Sequence, residues 1–264
     1  MTLIFVLISV FSSVIGAICG IGGGFIIKPV MDAFNVYSSA TVGIMSCIIV
    51  LCMTGYSLIN AAVQKNLEID KATTPFLGIG AAIGGVIGKI IFDAISEASG
   101  NKSMVTLIQA LVFMAVTIFT LIYNLNKPKI RTRHSEGAAL CSVMGLLLGI
   151  ISSFLGIGGG PINLIVLHYF FSQPTKVAVK NSLFMVFLCQ LASLLYTIFS
   201  GKVPEIPVIL LIIMSAGGVL GGIIGRAINK KIDEGVVDKL FTGLMLLIIA
   251  ICIYNAAISW AALS

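Results

Sequence analysis

The residues able to do chemistry in this chain are few, and they gather around two matching glycine clusters. Gly20-Ile21-Gly22-Gly23-Gly24 returns as Gly156-Ile157-Gly158-Gly159-Gly160, 136 residues later. Both copies end a long apolar stretch. Glycine is costly inside a plain membrane helix, because it adds backbone freedom and buries little. Two such breaks at matching positions of an apolar chain point to a site built from interrupted helices. A break frees backbone N–H and C=O groups, which must face protein or a wet cavity. The first N–H groups of the helix that follows carry partial positive charge and accept an anion without any charged side chain. The candidate donors are Gly22, Gly23, Gly24 and Phe25 at the first break. At the second the candidate binding residues are Gly158, Gly159, Gly160, Pro161 and Asn163, with Pro161, which has no N–H, suited to the first position of a helix.

Charged and polar residues lie close by. Lys28 stands four residues beyond Gly24, and Lys180 opens an apolar segment as Lys180-Asn181-Ser182. A lysine in hydrocarbon costs about 2.5–3.5 kcal/mol, so it must reach the interface or have a task. Ser46, Asn163, Asn181, Ser182 and Gln190 could each hydrogen-bond an oxyanion or hold helices together. Asp32 and its counterpart His168 are the candidates for proton coupling, with an interfacial position as the plainer reading. Lys89 and Arg226 occupy equivalent helix ends and are expected to be anchors. Gly84/Gly88 and Gly221/Gly225 have the spacing of close helix packing.

Other chemistries lack their residues. His134 and His168 are the only histidines, and there is no HExxH, no GxSxG and no pair of intramembrane aspartates. An enzyme is not expected. The glycine runs lack the strand and the Gly-Lys-Ser/Thr ending of a phosphate loop. Six cysteines fall in apolar segments without a CxxC pair, so they are expected to pack rather than bind metal. No metal and no cofactor is expected.

The elements that must position these residues are membrane helices. Of 264 residues 58% are hydrophobic and 10% charged, against about 25% charged in soluble domains. Mean hydropathy is +1.13. The net charge of +6 comes from short loops, so it argues for membrane topology and anionic lipid rather than nucleic acid. Eight stretches are long enough to span: about 2–20, 38–63, 73–95, 104–125, 138–157, 177–200, 206–228 and 238–262. The first lacks a basic leader and a cleavage site, and is expected to be a retained helix.

The chain is expected to be one membrane domain of two repeats, 1–125 and 138–264, joined by a basic linker, 126–137. Ser46 matches Ser182 at the glycine offset. Lys65-Asn66-Leu67-Glu68-Ile69 matches Lys202-Val203-Pro204-Glu205-Ile206, and Gly84–Lys89 matches Gly221–Arg226, both one residue further on. Four spans per repeat would make the halves parallel, and an odd count would invert them. Phe25–Tyr37 and Pro161–Gln173 decide between these, as half-helices, re-entrant loops or further crossings. With eight simple spans, Lys65, Lys71, Lys127, Lys129, Arg131, Arg133 and Lys202 fall on one side. Lys28, Lys89, Lys102, Lys176, Lys180, Arg226, Lys230 and Lys231 fall on the other. That balance gives no orientation, although the cluster at 127–133 favours a cytoplasmic linker.

Over its whole length the chain resembles the sulfite exporter TauE/SafE family of membrane permeases. The resemblance rests on two tandem halves, each opening with an apolar helix into Gly-x-Gly-Gly-Gly, and on Pro29 following the first cluster. The family's Thr-Ser element about twenty residues on reads Met45-Ser46 and Asn181-Ser182 here, and Lys180 takes a position usually small. The resemblance implies export or uptake of a small sulfur-containing anion such as sulfite or a sulfonate.

The expected protein is therefore an all-α polytopic membrane protein of about eight transmembrane helices in two tandem repeats, each with a glycine-interrupted or re-entrant segment. It would be a multi-pass protein of the cell membrane, monomer or homodimer, carrying a small anion by alternating access. A passive anion channel and a carrier of another small organic solute are the alternatives.

Overall fold

The computed structural model describes residues 2–64, 70, 72–133 and 137–263. Lys65–Ile69, Lys71 and His134 lie outside the described residues. The helices run α1 Thr2–Cys19, α2 Gly24–Phe34, α3 Ser39–Val63, α4 Thr74–Ser99, α5 Lys102–Asn126, α6 Ala138–Phe154, α7 Pro161–Phe171, α8 Thr175–Phe199, α9 Val208–Asn229 and α10 Glu234–Ala261. All eight expected spans are present within a few residues. Among the described residues seven helices are long and apolar enough to cross a membrane, and α6, at 17 residues, falls just short. The outward surface is itself apolar, with Leu3, Ile209 and Phe199 among the exposed side chains, as lipid requires. Cys19, Cys47, Cys141, Cys189 and Cys252 are buried free thiols, and Cys52 is exposed.

The two uncertain segments are short helices, α2 and α7, of 11 residues each. Their preceding turns and their C-terminal ends match, while the residues just before each helix, Gly23 and Gly160, differ in conformation. Gly20 and Gly156 turn the chain at φ +71° and +67°, and Gly22 and Gly158 at +73° and +75°. Asn35 and Ser172 end the two helices at the same left-handed φ of 50°. Only about 16 Å long, neither helix can cross a bilayer.

Glycine contacts fix the helix directions. Along α9, Gly221 and Gly225 meet the carbonyls of Val10 and Val14, so α1 and α9 run parallel. Gly218 and Gly222 of α9 meet Ile49 and Met53, so α3 runs the same way. Gly84 and Gly88 of α4 meet the carbonyls of Leu146 and Ile150, which makes α4 parallel to α6. Gly78 meets Phe184 and Leu188 while Gly85 meets Cys189 and Ser193, adding α8 to that direction. The core pairs Val50 with Val186 across Gly22, and Met53 packs with Val179 and Leu183, so α3 and α8 are antiparallel.

Because α1 and α3 point the same way, α2 must bring the chain back. Its C-terminal Phe34 stacks edge-on against Phe5 near the start of α1, with ring centroids 5.5 Å apart. The halves are therefore inverted in direction. α2 runs from the middle of the protein to one face (face 1), and α7 runs from the middle to the other (face 2). Face 1 holds the joint between Glu97 at the end of α4 and Lys202. Face 2 holds the joint between Lys127 at the end of α5 and Asp238 in α10.

This topology removes the charge balance of the simple eight-span count. Lys127, Lys129, Arg131, Arg133, Lys176, Lys230 and Lys231 now fall at face 2. The face 1 ends of the chain carry Lys102 and Lys202. The basic excess is one-sided.

The glycine ridges are packing devices, as their spacing implies. A Cβ built at Gly84 would stand 2.1 Å from the Leu146 carbonyl oxygen, and one at Gly221 2.4 Å from that of Val10. Both obstacles are backbone. Gly84→Val is expected to abolish the monodisperse peak of the detergent-extracted protein on size exclusion, since the two helices cannot then approach.

Candidate functional site

The two glycine breaks meet at the centre. A Cβ at Gly24 would lie 2.4 Å from the Ile157 carbonyl oxygen, so the breaks touch without space for a solute between them. Each break also lies against the long helix that follows the other half's short one: Gly20 against Val179 in α8, Gly156 against Gly43 in α3. The N-terminal ends of α2 and α7 thus converge from opposite faces. Both bring partial positive charge to the protein's middle.

Buried polar atoms without a partner collect around this junction. The hydroxyls of Ser13 and Ser46 lie 2.9 and 2.7 Å from Cβ atoms built at Gly23 and Gly24. Asn163 Oδ1 and Gln190 Nε2 are also unpaired. Such atoms cost free energy unless a ligand or water meets them.

Lys28 is the centre of a charged knot on the face 1 side. Its ammonium donates to Asp32 Oδ2 at 2.8 Å, to the Ser39 carbonyl at 3.1 Å, to Gln109 Oε1 at 3.2 Å and to the Ser39 hydroxyl. Ser39 donates to Gln109 Oε1 at 2.7 Å, and Gln109 Nε2 donates to the Phe154 carbonyl at 2.6 Å. The lysine and aspartate share one side of α2 at i, i+4 spacing, and the Lys28 side chain is 3% exposed. Snorkelling to the interface therefore does not describe it. Asp32 and Ser39 also line an open vestibule at face 1, together with Tyr37, Ser103, Asn255 and Ser259.

Inside the knot is a narrow cavity of about 30 Å³, room for about two waters. Lys28, Gly43, Lys89, Gly156, Gln190 and Ser193 are among its walls. The glycines make it. A Cβ on Gly156 would press on Lys28 Cε at 3.2 Å, and one on Gly158 would strike Gln190 Nε2 at 2.5 Å. Lys89 is no interfacial anchor. It lies in this wall, paired with Asp93 at 3.2 Å, with its side chain 13% exposed. Its pairing turns it inward, and a helix-end reading of the sequence could not see that α8 and α5 close over it. Gln109 escaped sequence reasoning altogether, because a single glutamine in an apolar run has no pattern. The three hydrogen bonds of its side-chain amide are its signature.

The other expected residues are placed as follows. Phe25 is buried and stacked on Phe113, with centroids 4.9 Å apart. Gly22 faces Val50 and Val186, an apolar setting. Gly159 faces Val186, Gly160 lies beside Ile157, and Pro161 opens α7. Asn163 Nδ2 donates to Ser182 at 3.5 Å, and Asn181 Nδ2 donates to Gln173 at 2.8 Å while its oxygen receives the Asp70 amide. Lys180 is half-buried in the face 2 part of α8, about 15 Å along the helix from Gln190. The expected grouping of Lys28 with Lys180-Asn181-Ser182 is thus divided between the two halves of the membrane.

His168 accepts or donates a hydrogen bond with Tyr123 at 2.9 Å on the face 2 side. Beside it, Lys127 donates to both oxygens of Asp238 at 3.0 Å and to Thr175 at 2.8 Å. Ser39 and Thr175 are matching positions of the two halves. Each receives a lysine that is also paired with an aspartate, one knot at each face.

A family model described as sulfite exporter TauE/SafE matches residues 5–251. The chain belongs to the sulfite exporter TauE/SafE family. A "Probable membrane transporter protein YunE" of Bacillus subtilis (strain 168) is 24% identical over 97% of this chain and 98% of its own length. "Probable membrane transporter protein MamO" of Paramagnetospirillum magneticum (strain ATCC 700264 / AMB-1) is 30% identical over 42% of this chain. That match covers 18% of the longer relative. No solved structure matches the chain. The family and both relatives are membrane transporters by name, not enzymes, so a TauE/SafE family member of this kind is a multi-pass protein of a lipid bilayer with a small solute to carry.

Proposed function

We propose that this protein carries a small, sulfur-containing anion such as sulfite or a sulfonate across the cell membrane by alternating access. The observation that supports this most is the cavity that sets Lys28 and Lys89 against the second glycine break. A small hollow with two lysines beside a glycine break suits an anion. The moving parts are taken to be the two halves, 1–125 and 138–264, as inverted copies joined by the linker 126–137.

On this reading the knots at the two faces are the gates. Lys28–Asp32–Ser39 closes the route from the face 1 vestibule, and Lys127–Asp238–Thr175 closes face 2. Asp32 and His168, one beside each gate, remain the candidates for proton coupling. The turn Lys180-Asn181-Ser182, with Asn163, lines the route from the centre to face 2. Lys180→Ala should slow transport and leave substrate affinity unchanged, which uptake rates and equilibrium binding would separate.

The one-sided basic residues favour a cytoplasmic face 2, with the vestibule outside. A cysteine at Asn101 should then react with a membrane-impermeant maleimide on intact cells, and one at Lys129 only after lysis. The reverse pattern would turn the protein over.

The deciding experiment is a thermal-shift screen of the detergent-solubilised protein against sulfite, sulfate, thiosulfate, taurine, sulfoacetate and chloride. A ligand that binds only the folded state stabilises it. A shift with a sulfur anion and not with chloride supports the reading, and none with any anion overturns it. Accumulation against a gradient in proteoliposomes distinguishes a carrier from a channel.

A further inference from the structure

We propose that the groups holding the substrate anion are Lys89 and Gln190, and that Lys28 does not contact it. The inference rests on the anion-carrier reading and specifies its site.

The hydrogen-bond inventory of the cavity leads there. An ammonium has three protons. Those of Lys28 are surrounded by Asp32, both oxygens of Ser39, and Gln109. Nothing remains for a ligand unless the knot opens. The wall hydroxyls are also committed. Ser193 donates to the Gly85 carbonyl at 3.0 Å, so Ser153 must donate to Ser193 at 2.7 Å. Thr197 donates to the Ser193 carbonyl at 2.9 Å.

Two donors are left. Lys89 has an ion pair with one oxygen of Asp93 at 3.2 Å and lies 4.4 Å over the Phe92 ring. A ring face satisfies charge but takes no directed hydrogen bond from a second proton as well as an oxygen does. Gln190 is 1% exposed, and its amide nitrogen has no partner. It is a buried donor lying across Gly158, whose missing side chain leaves room for it.

The matching positions of the other half make the comparison. Arg226 matches Lys89 and donates to the Ser57 carbonyl at 3.0 Å. Thr54 matches Gln190 and donates to the Val50 carbonyl at 2.7 Å. There Thr54 is satisfied by the protein itself whereas the Gln190 amide is not, and Arg226 keeps a buried unpaired Nη2 as Lys89 keeps protons beyond its bond to Asp93. A buried amide donor left unsatisfied in one half only is a donor kept for something else. One ammonium, whose bond to Asp93 leaves protons to give, and one neutral amide fit a small oxyanion. Lys89 is on α4 and Gln190 on α8, two helices from different halves that pack against each other through Gly85.

The test is sulfite binding to Gln190→Leu, Lys89→Gln and the surface control Lys202→Gln, by thermal shift over a sulfite titration. Gln190→Leu removes a nitrogen that makes no hydrogen bond, so it should fold. Its apparent affinity for sulfite should fall at least tenfold, as should that of Lys89→Gln, with Lys202→Gln unchanged. If Lys89→Gln does not fold, Lys89→Gln/Asp93→Asn removes both charges together and should show the same loss. Full sulfite affinity in Gln190→Leu, or in the folded Lys89 variant, overturns the inference. A wild-type protein that responds to no anion removes the carrier reading instead, so the two failures are distinguishable.

Discussion

Lys28→Met should lower the melting temperature of the purified protein by about 10 °C, and adding Asp32→Asn should restore most of it. Removing one partner of a buried ion pair strands the other, at about 3–5 kcal/mol. In a chain of this size each kcal/mol moves the midpoint by about 2–4 °C. The Asp32 carboxylate would keep no ammonium, and Ser39 and Gln109 would lose the donor that orders them. Neutralising both residues removes the stranded charge, which is why the double variant should recover. The face 2 knot supplies the contrast. The side chains of Lys127 and Asp238 are 18% and 35% exposed, so water can replace either partner. Lys127→Met should therefore cost a few degrees at most. Equal losses at the two faces, or no recovery in the Lys28/Asp32 double variant, would mean that the knot is not held by the charge pair. On the expected result the proposed gates differ in strength, the face 1 gate being the firmer latch.

The helices and both breaks were legible in the sequence because each has a local cause. A run of about twenty apolar residues can only be a span, and three successive glycines can only be an interruption. The direction of the halves was not legible. It depends on whether eleven residues after each break go on or turn back, and both choices bury the same apolar side chains. The structure decides it through contacts distant in sequence, such as Gly218 of α9 against Ile49 of α3. Lys28 was readable as an intramembrane charge, but its partners were only half readable. Asp32 follows at helical spacing, whereas Ser39 and Gln109 arrive from α3 and α5. Lys180 was misgrouped for the same reason. It shares a type with Lys28 and a repeat position with Ile44, and inversion sends equivalent turns to opposite faces. Lys89 shows the converse: a residue dismissed at a helix end is brought into the central cavity by the glycine contact of α4 with α6.

Gly158→Ala should abolish the response to sulfite while costing little more stability than Gly22→Ala. The two glycines hold matching turns, at φ +75° and +73°. In that left-handed region a Cβ costs about 1–2 kcal/mol whatever surrounds it. Both variants therefore carry the same backbone strain and should lose a few degrees alike. Their surroundings differ. A Cβ on Gly22 would come no closer than 3.4 Å, to Val50, an ordinary contact. One on Gly158 would overlap Gln190 Nε2 at 2.5 Å. The obstacle is the tip of a flexible side chain, so the fold yields cheaply by displacing the amide, and a displaced amide no longer faces the cavity. Thermal shift with sulfite on the pair reads the two effects separately: the midpoint without ligand reports strain, and the increment with ligand reports the amide. Loss of the increment in Gly158→Ala alone would mean that the second cluster is shaped around a side chain. Loss in both would make the glycines turn elements whose backbone geometry is itself what the anion needs. Because Gly22 and Gly158 differ so little in backbone, the comparison isolates one methyl group against one amide.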